Sequence, residues 1–405
     1  MSRIKGFLRR GVFPILSVIT ALLFGAVVII LTDFKSLARI GEGDPVGALA
    51  GAVGGVIGGY GAMLAGAFGD PDKIQIALQT FAAADIATAI RPFTETLVAA
   101  TPLIFGGLAV AISFRAGMFN IGGQGQLLIG ALGAILTAFI LNGQGLPSFV
   151  ILLAALVMGT LFGAAYGFIP GFLKARTGAH EVITTIMLNY VAAQIVFFAL
   201  RGPILRQPGS TAPVSKNMQA FVDVPLLINL PAIRLDLSFI AALLVAVAVS
   251  WLLFRTTKGF ELRAAGFNMT AARYAGMSAG GSMMLAMALS GALFGLAGSF
   301  LVVGTVGQLS LDLDGGVGFN SIALALLAGL RPSGVVAAAL LFGALSNGGK
   351  AMGIQSGIPF DLLSFIFALV IMFVAAPGLI RTIWRIKVSK PQPELAITQQ
   401  PVASE

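Results

Sequence analysis

The chain alternates between long uncharged apolar blocks and short polar segments that carry most of its charge. A helix needs about 20 mostly apolar residues to cross the hydrocarbon core of a bilayer, which is about 30 Å thick. The pattern therefore predicts an all-α polytopic membrane protein with about ten transmembrane helices. The predicted spans lie at residues 11–32, 94–114, 118–141, 147–173, 182–200, 235–254, 282–306, 317–330, 332–349 and 358–378.

Composition supports a membrane protein and excludes several other classes. Of 405 residues, 57% are hydrophobic and 10% are charged, whereas about 25% are charged in a soluble domain. Without cysteine the chain has no disulfide, thiol catalysis or thiolate metal site, and the single His180 excludes His-rich zinc sites. We expect one transmembrane domain over residues 1–390 and a disordered cytoplasmic tail at 391–405.

The net charge of +9 follows the predicted membrane topology. Sixteen of the 25 basic residues, but only four of the 16 acidic ones, lie on the side that holds both termini. Cytoplasmic loops carry an excess of Lys and Arg, so both termini are predicted to be cytoplasmic. The positive charge therefore indicates orientation, and no nucleic-acid partner is expected.

Two segments leave the number of spans open. The stretch 47–68 is uncharged but contains eight glycines, each of which costs a helix about 1 kcal/mol relative to Ala. We expect it to be external or re-entrant, within an external segment at 33–93. The pair at 317–349 either spans twice or forms a re-entrant hairpin with its tip at Arg331-Pro332.

The chain carries no recognisable energy source. The nearest resemblance to a nucleotide-binding loop, at 343–350, has the wrong glycine spacing, and Ala351 stands where Ser or Thr should bind Mg²⁺. No acidic residue or His lies in the middle of a span, where a proton relay would need one, because Glu95, Glu181 and Asp361 lie near span ends. A sodium-coupled carrier remains an alternative, because carbonyls of broken helices can hold Na⁺.

Charged and apolar residues interleave in the predicted cytoplasmic loop at 255–280. The pattern predicts two short helices at 259–265 and 270–275, broken at 266–269, with Thr270 capping the second. One face of such a segment can lie in a groove of a partner protein. An ordinary positively charged loop is the alternative interpretation.

Four stretches resemble a known family. Glu261-Leu-Arg-Ala-Ala-Gly266 resembles the coupling loop of ATP-binding-cassette (ABC) importer permeases. Residues 114–132 resemble the second-to-third-span signature of the branched-chain-amino-acid/ribose permease group. Gly178-Ala-His-Glu-Val-Ile-Thr-Thr-Ile-Met-Leu-Asn-Tyr190, with 60–69 and 259–277, resembles the branch of nucleoside and simple-sugar permeases that work with a nucleoside-binding lipoprotein.

This resemblance implies a permease subunit without covalent chemistry, cofactor or metal of its own. It implies one or two ABC ATPase subunits that bind ATP and Mg²⁺, a second homologous permease chain, an external substrate-binding lipoprotein and the bacterial cytoplasmic (inner) membrane. The residues expected to couple the chain to the ATPase are Glu261, Arg263, Ala265, Gly266, Asn268, Arg273 and Gly276.

Aromatic and amide side chains are the candidates for lining a substrate pathway. A nucleoside is neutral, with a flat base to stack and a ribose to hydrogen-bond, so these side chains suit it without a buried charge. Alternatively, the amides join helices to one another. The candidate residues are Phe119, Asn120, Gln124, Gln126, Asn189, Gln194, Phe319 and Asn320.

Further patterns have structural interpretations. The repeated pair Phe119-Asn120 and Phe319-Asn320 hints at an internal repeat. Small-residue stripes at 163–171 and 291–295 predict helix packing. Glu181, after His180, either contacts the ATPase or stabilises the start of a helix.

The predicted function is therefore alternating-access translocation of nucleosides by an ABC importer. The alternatives are a permease for simple sugars or riboflavin, or an ion-coupled secondary carrier.

Overall fold

The computed structural model describes residues 2–385, apart from 220 and 223, and within these it contains sixteen α-helices and no strand. The predicted tail at 391–405 lies outside the described residues. The helices are α1 (Ser2–Thr32), α2 (Phe34–Gly41), α3 (Pro45–Phe68), α4 (Pro71–Thr80), α5 (Ala83–Arg115), α6 (Gly123–Leu141), α7 (Ser148–Thr177), α8 (Glu181–Arg201), α9 (Ser238–Arg255), α10 (Thr257–Phe267), α11 (Met269–Tyr274), α12 (Ala279–Phe300, continued by a π-helical turn Leu301–Thr305), α13 (Val317–Leu327), α14 (Pro332–Ser356), α15 (Phe360–Ala375) and α16 (Pro377–Ile383).

The all-α polytopic fold is confirmed. Among the described residues, eight helices are long and apolar enough to cross a membrane, namely α3, α5, α6, α7, α8, α9, α12 and α14. The predicted span at 317–330 is too long, because α13 has only 11 residues. At about 1.5 Å per residue it covers about 16 Å, half of the hydrocarbon core.

The arginines that the predicted topology places on the cytoplasmic side meet at one end of the bundle. The guanidinium carbons of Arg115 and Arg263 lie 4.9 and 5.2 Å from the centre of the Phe254 ring. Arg115 Nε also donates to the carbonyl of Leu330 at 2.6 Å. The ends of α5, α9 and the α13–α14 turn therefore lie together, in a region called the basic end below.

The length of helix α5 between two charged residues indicates how deep its residues lie in the membrane. At the opposite end of the bundle, Glu95 Oε2 lies 2.5 Å from Arg234 Nη2, and this hydrogen bonding raises the pKa of Arg234 above its ordinary value. Arg115 follows twenty residues after Glu95, a distance of about 30 Å along a helix. This matches the thickness of the hydrocarbon core, so Gly106 and Gly107 lie near its middle.

Helices α7 and α12 pack antiparallel along their glycines. A β-carbon on Gly163 would lie 2.6 Å from the Gly295 α-carbon, and one on Gly167 would lie 2.8 Å from the Gly291 α-carbon. Backbones can approach this closely only where side chains are absent. The two small-residue stripes therefore serve helix packing, as predicted.

The packing of α5 on α14 mirrors that of α12 on α7. A β-carbon on Gly107 would lie 2.7 Å from Val335 Cγ1, and one on Gly343 would lie 3.0 Å from the Ala100 β-carbon, so these helices are also antiparallel. The segments α5–α6–α7 and α12–α13–α14 thus run in opposite directions with matching contacts. Such an inverted repeat is a common transporter architecture and supports the internal repeat suggested by the sequence.

The glycine-rich stretch 47–68 belongs to the unbroken helix α3. The carbonyl of Gly66 accepts a hydrogen bond from Asn347 Nδ2 at 2.8 Å, and Asn347 also donates to the carbonyl of Pro92 at 2.9 Å. Gly59 and Gly66 let α3 pack closely on α14, because a β-carbon on Gly59 would lie against Met352, and one on Gly66 against Ala351 and Gly348. Helix α3 has the length of a span, and the external or re-entrant position of 33–93 stays a prediction.

Candidate functional site

Helices α6 and α13 both begin near the middle of the bilayer. A β-carbon on Gly106 would lie 3.0 Å from the Phe294 ring, and one on Gly123, the first residue of α6, would collide with the same ring. A β-carbon on Gly318 of α13 would lie 2.5 Å from the backbone nitrogen of Gln124. The two helix N-termini therefore touch at mid-depth. Residues 119–124 and 314–320 are called the mid-membrane junction below.

Side chains of α8 support the non-helical backbone before α6. Asn189 Oδ1 accepts from the Gly125 amide at 2.8 Å, and Asn189 Nδ2 donates to the carbonyl of Ile121 at 3.0 Å. The hydroxyl of Thr185 accepts from the Ile121 amide at 3.4 Å. Irregular backbone is tolerated at membrane depth only where protein groups satisfy it. Asn189 therefore positions α6, and this uses both ends of its amide.

Asn120 and Gln126 form a closed polar network with α12. Asn120 Nδ2 donates at 2.8 Å both to Gln126 Oε1 and to Ser290 Oγ. Asn120 Oδ1 accepts from the Gly122 amide at 3.0 Å and from Gln126 Nε2 at 3.1 Å. All three side chains are buried. The alternative in which amides join helices therefore fits Asn120, Gln126 and Asn189 better than pathway lining.

The other candidates at the junction present accessible groups. Phe119 and Phe319 are 53% and 54% exposed. The side-chain amides of Gln124 and Asn320 are partly exposed and make no hydrogen bond within the described part of the chain. These four side chains therefore remain available to a ligand.

Gln194 does not belong to this group. It is exposed on α8 beside Tyr190 and Phe198, on a different face from buried Asn189. Asn189 and Gln194 therefore face different directions on α8.

Asp314 is a residue of the junction that sequence reasoning missed. It is 3% exposed, and its carboxylate accepts from the Gly316 amide at 3.0 Å and from the Gly318 amide at 2.8 Å. Asp314 precedes both α13 and the predicted span at 317–330, so the expectation that no acid lies in the middle of a span is not contradicted by it. An Asp followed by glycines before an apolar run is a helix-start pattern, but the sequence does not reveal that this start lies inside the bilayer.

The junction places one buried acidic side chain beside two helix N-termini. A helix N-terminus carries a partial charge of about +0.5, and the N-termini of α6 and α13 meet here next to the Asp314 carboxyl group. The junction is therefore a polar region among apolar helices.

The predicted coupling segment forms two helices at the basic end. The break is a single residue, Asn268, between α10 and α11. Its Oδ1 accepts from the Ala271 amide at 2.9 Å, so Asn268 caps α11 and the predicted cap at Thr270 is wrong. The predicted break at 266–269 is too wide, because Asn268 can leave the helix and cap the next one alone.

The residues predicted to couple to an ATPase divide into inward and outward groups. Ala265 is buried, and Gly266 packs against the Arg115–Gly117 backbone. Arg263 lies against Phe254, and Glu261 pairs with Lys258 at 2.9 Å. Asn268, Arg273 and Gly276 are exposed. This last group is the most accessible to a partner protein, and Glu261, Arg263 and Gly266 are partly exposed.

Two aromatic residues missed by the sequence reasoning dominate the outer face of this segment. Phe267 is 96% exposed and Tyr274 is 89% exposed. Beside them lies an open cavity of about 720 Å³. It is bounded by the end of α9, by α10 and by the turn that leads into α12. Their sequence signal was an aromatic side chain inside an otherwise polar, glycine-containing loop.

Glu181 has a structural partner. Its Oε2 lies 2.8 Å from Lys174 Nζ, across the turn that joins α7 to α8. Glu181 is also the first residue of α8, the position at which a carboxylate stabilises the start of a helix.

The family model for "branched-chain amino acid transport system / permease component" matches residues 93–376. The chain belongs to this family. It is therefore a multi-pass membrane permease of the ABC type. The matched range contains the mid-membrane junction and the coupling segment, whereas α1–α4 precede it.

Several curated proteins are similar to the chain over most of its length. A guanosine ABC transporter permease of Bacillus subtilis is 42% identical over 71% of this chain and 82% of its own. A nucleoside ABC transporter permease of Lactococcus lactis is 34% identical over 72% and 80%. A glucose ABC transporter permease of Haloferax volcanii is 35% identical over 69% and 75%. No solved structure matches the chain.

Proposed function

We propose that this chain is the translocation subunit of a bacterial ABC importer for nucleosides. The observation that carries the proposal is the mid-membrane junction, where the free amides of Gln124 and Asn320 accompany the exposed rings of Phe119 and Phe319. Aromatic faces can stack on a base, and amides can donate to and accept from base edges and ribose hydroxyls. The relatives named for guanosine and for nucleosides support the same substrate class.

In this proposal the chain hydrolyses no ATP itself. ATPase subunits bind ATP and Mg²⁺ and dock on the outer face of α10 and α11, where Phe267, Arg273 and Tyr274 are exposed. A second homologous permease completes the pathway in the cytoplasmic membrane, and an external lipoprotein delivers the substrate. Closure of the ATPases drives alternating access of the junction to the two sides.

Uptake of labelled guanosine, uridine and adenosine, by cells with and without the chain, tests the substrate class. The host must lack other nucleoside carriers, and excess ribose, glucose and riboflavin serve as competitors. We expect uptake to require the chain and to resist all three competitors. Nucleoside uptake that is unchanged by deletion would disprove the assigned substrate.

A glucose permease is the second candidate, because the Haloferax relative bears that name at 35% identity. Loss of glucose uptake on deletion, with nucleoside uptake intact, would favour it. The Phe119→Ala variant further distinguishes a nucleoside permease from a glucose permease. Loss of a stacking ring weakens nucleoside transport more than hexose transport, since a hexose has no aromatic face.

A further inference from the structure

We infer that Arg115 is a positioning residue that transmits movement of the coupling segment to α13, and thereby to the mid-membrane junction. The inference rests on the proposed function, because it concerns how ATPase movement reaches the substrate site. Three sets of contacts form the route, and Arg115 lies in the middle of it.

The first contact joins α10 to the end of α5. A β-carbon on Gly266 would collide with the Arg115 carbonyl and would lie 2.7 Å from the Gly117 nitrogen. No side chain separates the two backbones at this point. Gly117 adopts φ +74°, a conformation that glycine favours. Displacement of α10 therefore presses directly on the residue whose side chain makes the second contact.

The second contact joins Arg115 to the turn before α14. Arg115 Nε donates to the carbonyl of Leu330 at 2.6 Å, and Leu330 has a φ of +56° in that turn. Arg263 of α10 and Arg115 both lie against the Phe254 ring. Within the described residues, the ion pairs involve Lys174, Arg234 and Lys258. In the part of the chain that the structure describes, Arg115 therefore hydrogen-bonds to a carbonyl and forms no ion pair with a carboxylate.

The third set of contacts joins α13 to the face of α5 that carries Gly106 and Gly107. Leu324 packs on Gly107, and Ser321 packs on Gly106. The buried Ser321 hydroxyl has no hydrogen-bond partner within the described part of the chain. Among the described residues no side-chain hydrogen bond joins α13 to α5 here, so α13 contacts α5 through close packing alone. Its far end holds Gly318 against Gln124, so a shift at Leu330 reaches the junction.

The test uses the complete importer in lipid vesicles and measures nucleosides transported per ATP hydrolysed. We expect Arg115→Ala to lower this ratio about tenfold, since it removes a hydrogen bond from a charged donor, while ATP hydrolysis continues. Arg115→Lys keeps the charge but loses the planar Nε donor, and its ratio should fall severalfold. Arg176→Ala is the matched control, an arginine that lies over Phe172 at the end of α7 and should leave the ratio unchanged.

A second readout follows α13 itself. Because the natural chain has no cysteine, spin labels can be attached at Leu326→Cys and Leu285→Cys, on exposed positions of α13 and α12. With Arg115 present, we expect ATP binding to change the distance between the labels. In the Arg115→Ala importer that change should disappear although ATP is still hydrolysed.

The outcomes separate the inference from the proposed function. An unchanged transport ratio and an unchanged distance response in Arg115→Ala would overturn the inference. If Arg115→Ala does not assemble, Arg115→Lys decides, and a wild-type ratio in that variant overturns it equally. If the unmodified importer hydrolyses ATP but moves no nucleoside, the proposed substrate fails, while the distance measurement still tests the route through Arg115.

Discussion

Gly318 of α13 packs directly on the backbone of Gln124 of α6, so that the N-terminus of the short helix α13 meets the N-terminus of α6 inside the bilayer. A β-carbon on Gly318 would lie 2.5 Å from the Gln124 nitrogen, which is closer than atoms tolerate. In the sequence these residues are 194 positions apart, with the six helices α7 to α12 between them. Their contact makes the junction a single site rather than two loose helix ends.

Gly318→Ala is expected to force α6 and α13 apart. Overpacking of this kind costs about 1–3 kcal/mol, so the unfolding midpoint of the purified chain should fall and transport should fall with it. Thermal unfolding in detergent and uptake in vesicles measure the two effects. Gly58→Ala, on α3 where a β-carbon meets open space, is the control and should not lower the midpoint. An unaltered Gly318→Ala protein would contradict the described junction.

Asn189→Ala is expected to destabilise the protein, whereas Gln194→Ala should not. The first change leaves the Gly125 amide and the Ile121 carbonyl unsatisfied in a buried site, at a cost of about 1–3 kcal/mol for each group. The second removes an exposed amide and should change stability by about 0.5 kcal/mol or less. Denaturation curves of the two variants provide the comparison. Equal stability of both variants would be incompatible with the capping role of Asn189.

Asn320→Ala and Gln124→Ala are expected to weaken substrate affinity without unfolding the chain. Each amide lacks an internal hydrogen bond, so removing it leaves no buried group unpaired. A lost hydrogen bond to a neutral ligand, worth about 0.5–1.5 kcal/mol, should raise the apparent KM of nucleoside uptake about two- to tenfold. Asn120→Ala, which breaks the closed network, should instead reduce stability. A loss of stability in Asn320→Ala with unchanged KM would assign that residue to packing.

Phe267→Ala and Tyr274→Ala are expected to weaken binding of the ATPase subunit and leave the isolated chain as stable as before. Exposed aromatic residues at the centre of an interface contribute about 2 kcal/mol or more, which corresponds to about thirtyfold in affinity. Titration of the ATPase onto the chain in nanodiscs measures this. Phe198→Ala is the control, since Phe198 is 81% exposed but lies on α8. Similar ATPase binding by all three variants would refute the docking surface.

Periodicity predicted the helices but not their depth. The apolar block at 317–330 is long enough for a span by composition, yet α13 stops after 11 residues, because Asp314 and two glycines start the helix inside the bilayer. Nothing local distinguishes that start from one at the surface, since depth depends on contacts with Gly106 and Gln124. Tertiary contacts also decide which candidate amides are used within the fold and which stay accessible. Asn120 and Asn320 follow identical aromatic neighbours, but only Asn120 meets Ser290.

In the coupling segment, the sequence predicted where the segment lies but not which of its residues are exposed. The pattern around Gly266 resembled a docking loop, and that loop does form helices at the basic end. However, Ala265 and Gly266 face inward, because this part of the loop packs against the C-terminal end of α5. A single sequence cannot separate residues that hold a loop from residues that the loop presents, and Phe267 and Tyr274 became apparent only from their exposure.

The hydrogen bond between Asn120 and Ser290 spans 170 positions of the chain, and this has a consequence for biogenesis. The ribosome delivers the first half of the chain to the membrane well before α12, as N-terminal segments fold first. During that interval Asn120 carries an amide proton that has no Ser290 to receive it in an apolar surrounding. The polar network of Asn120 is therefore completed only after α12 has been inserted, late in the synthesis of the chain.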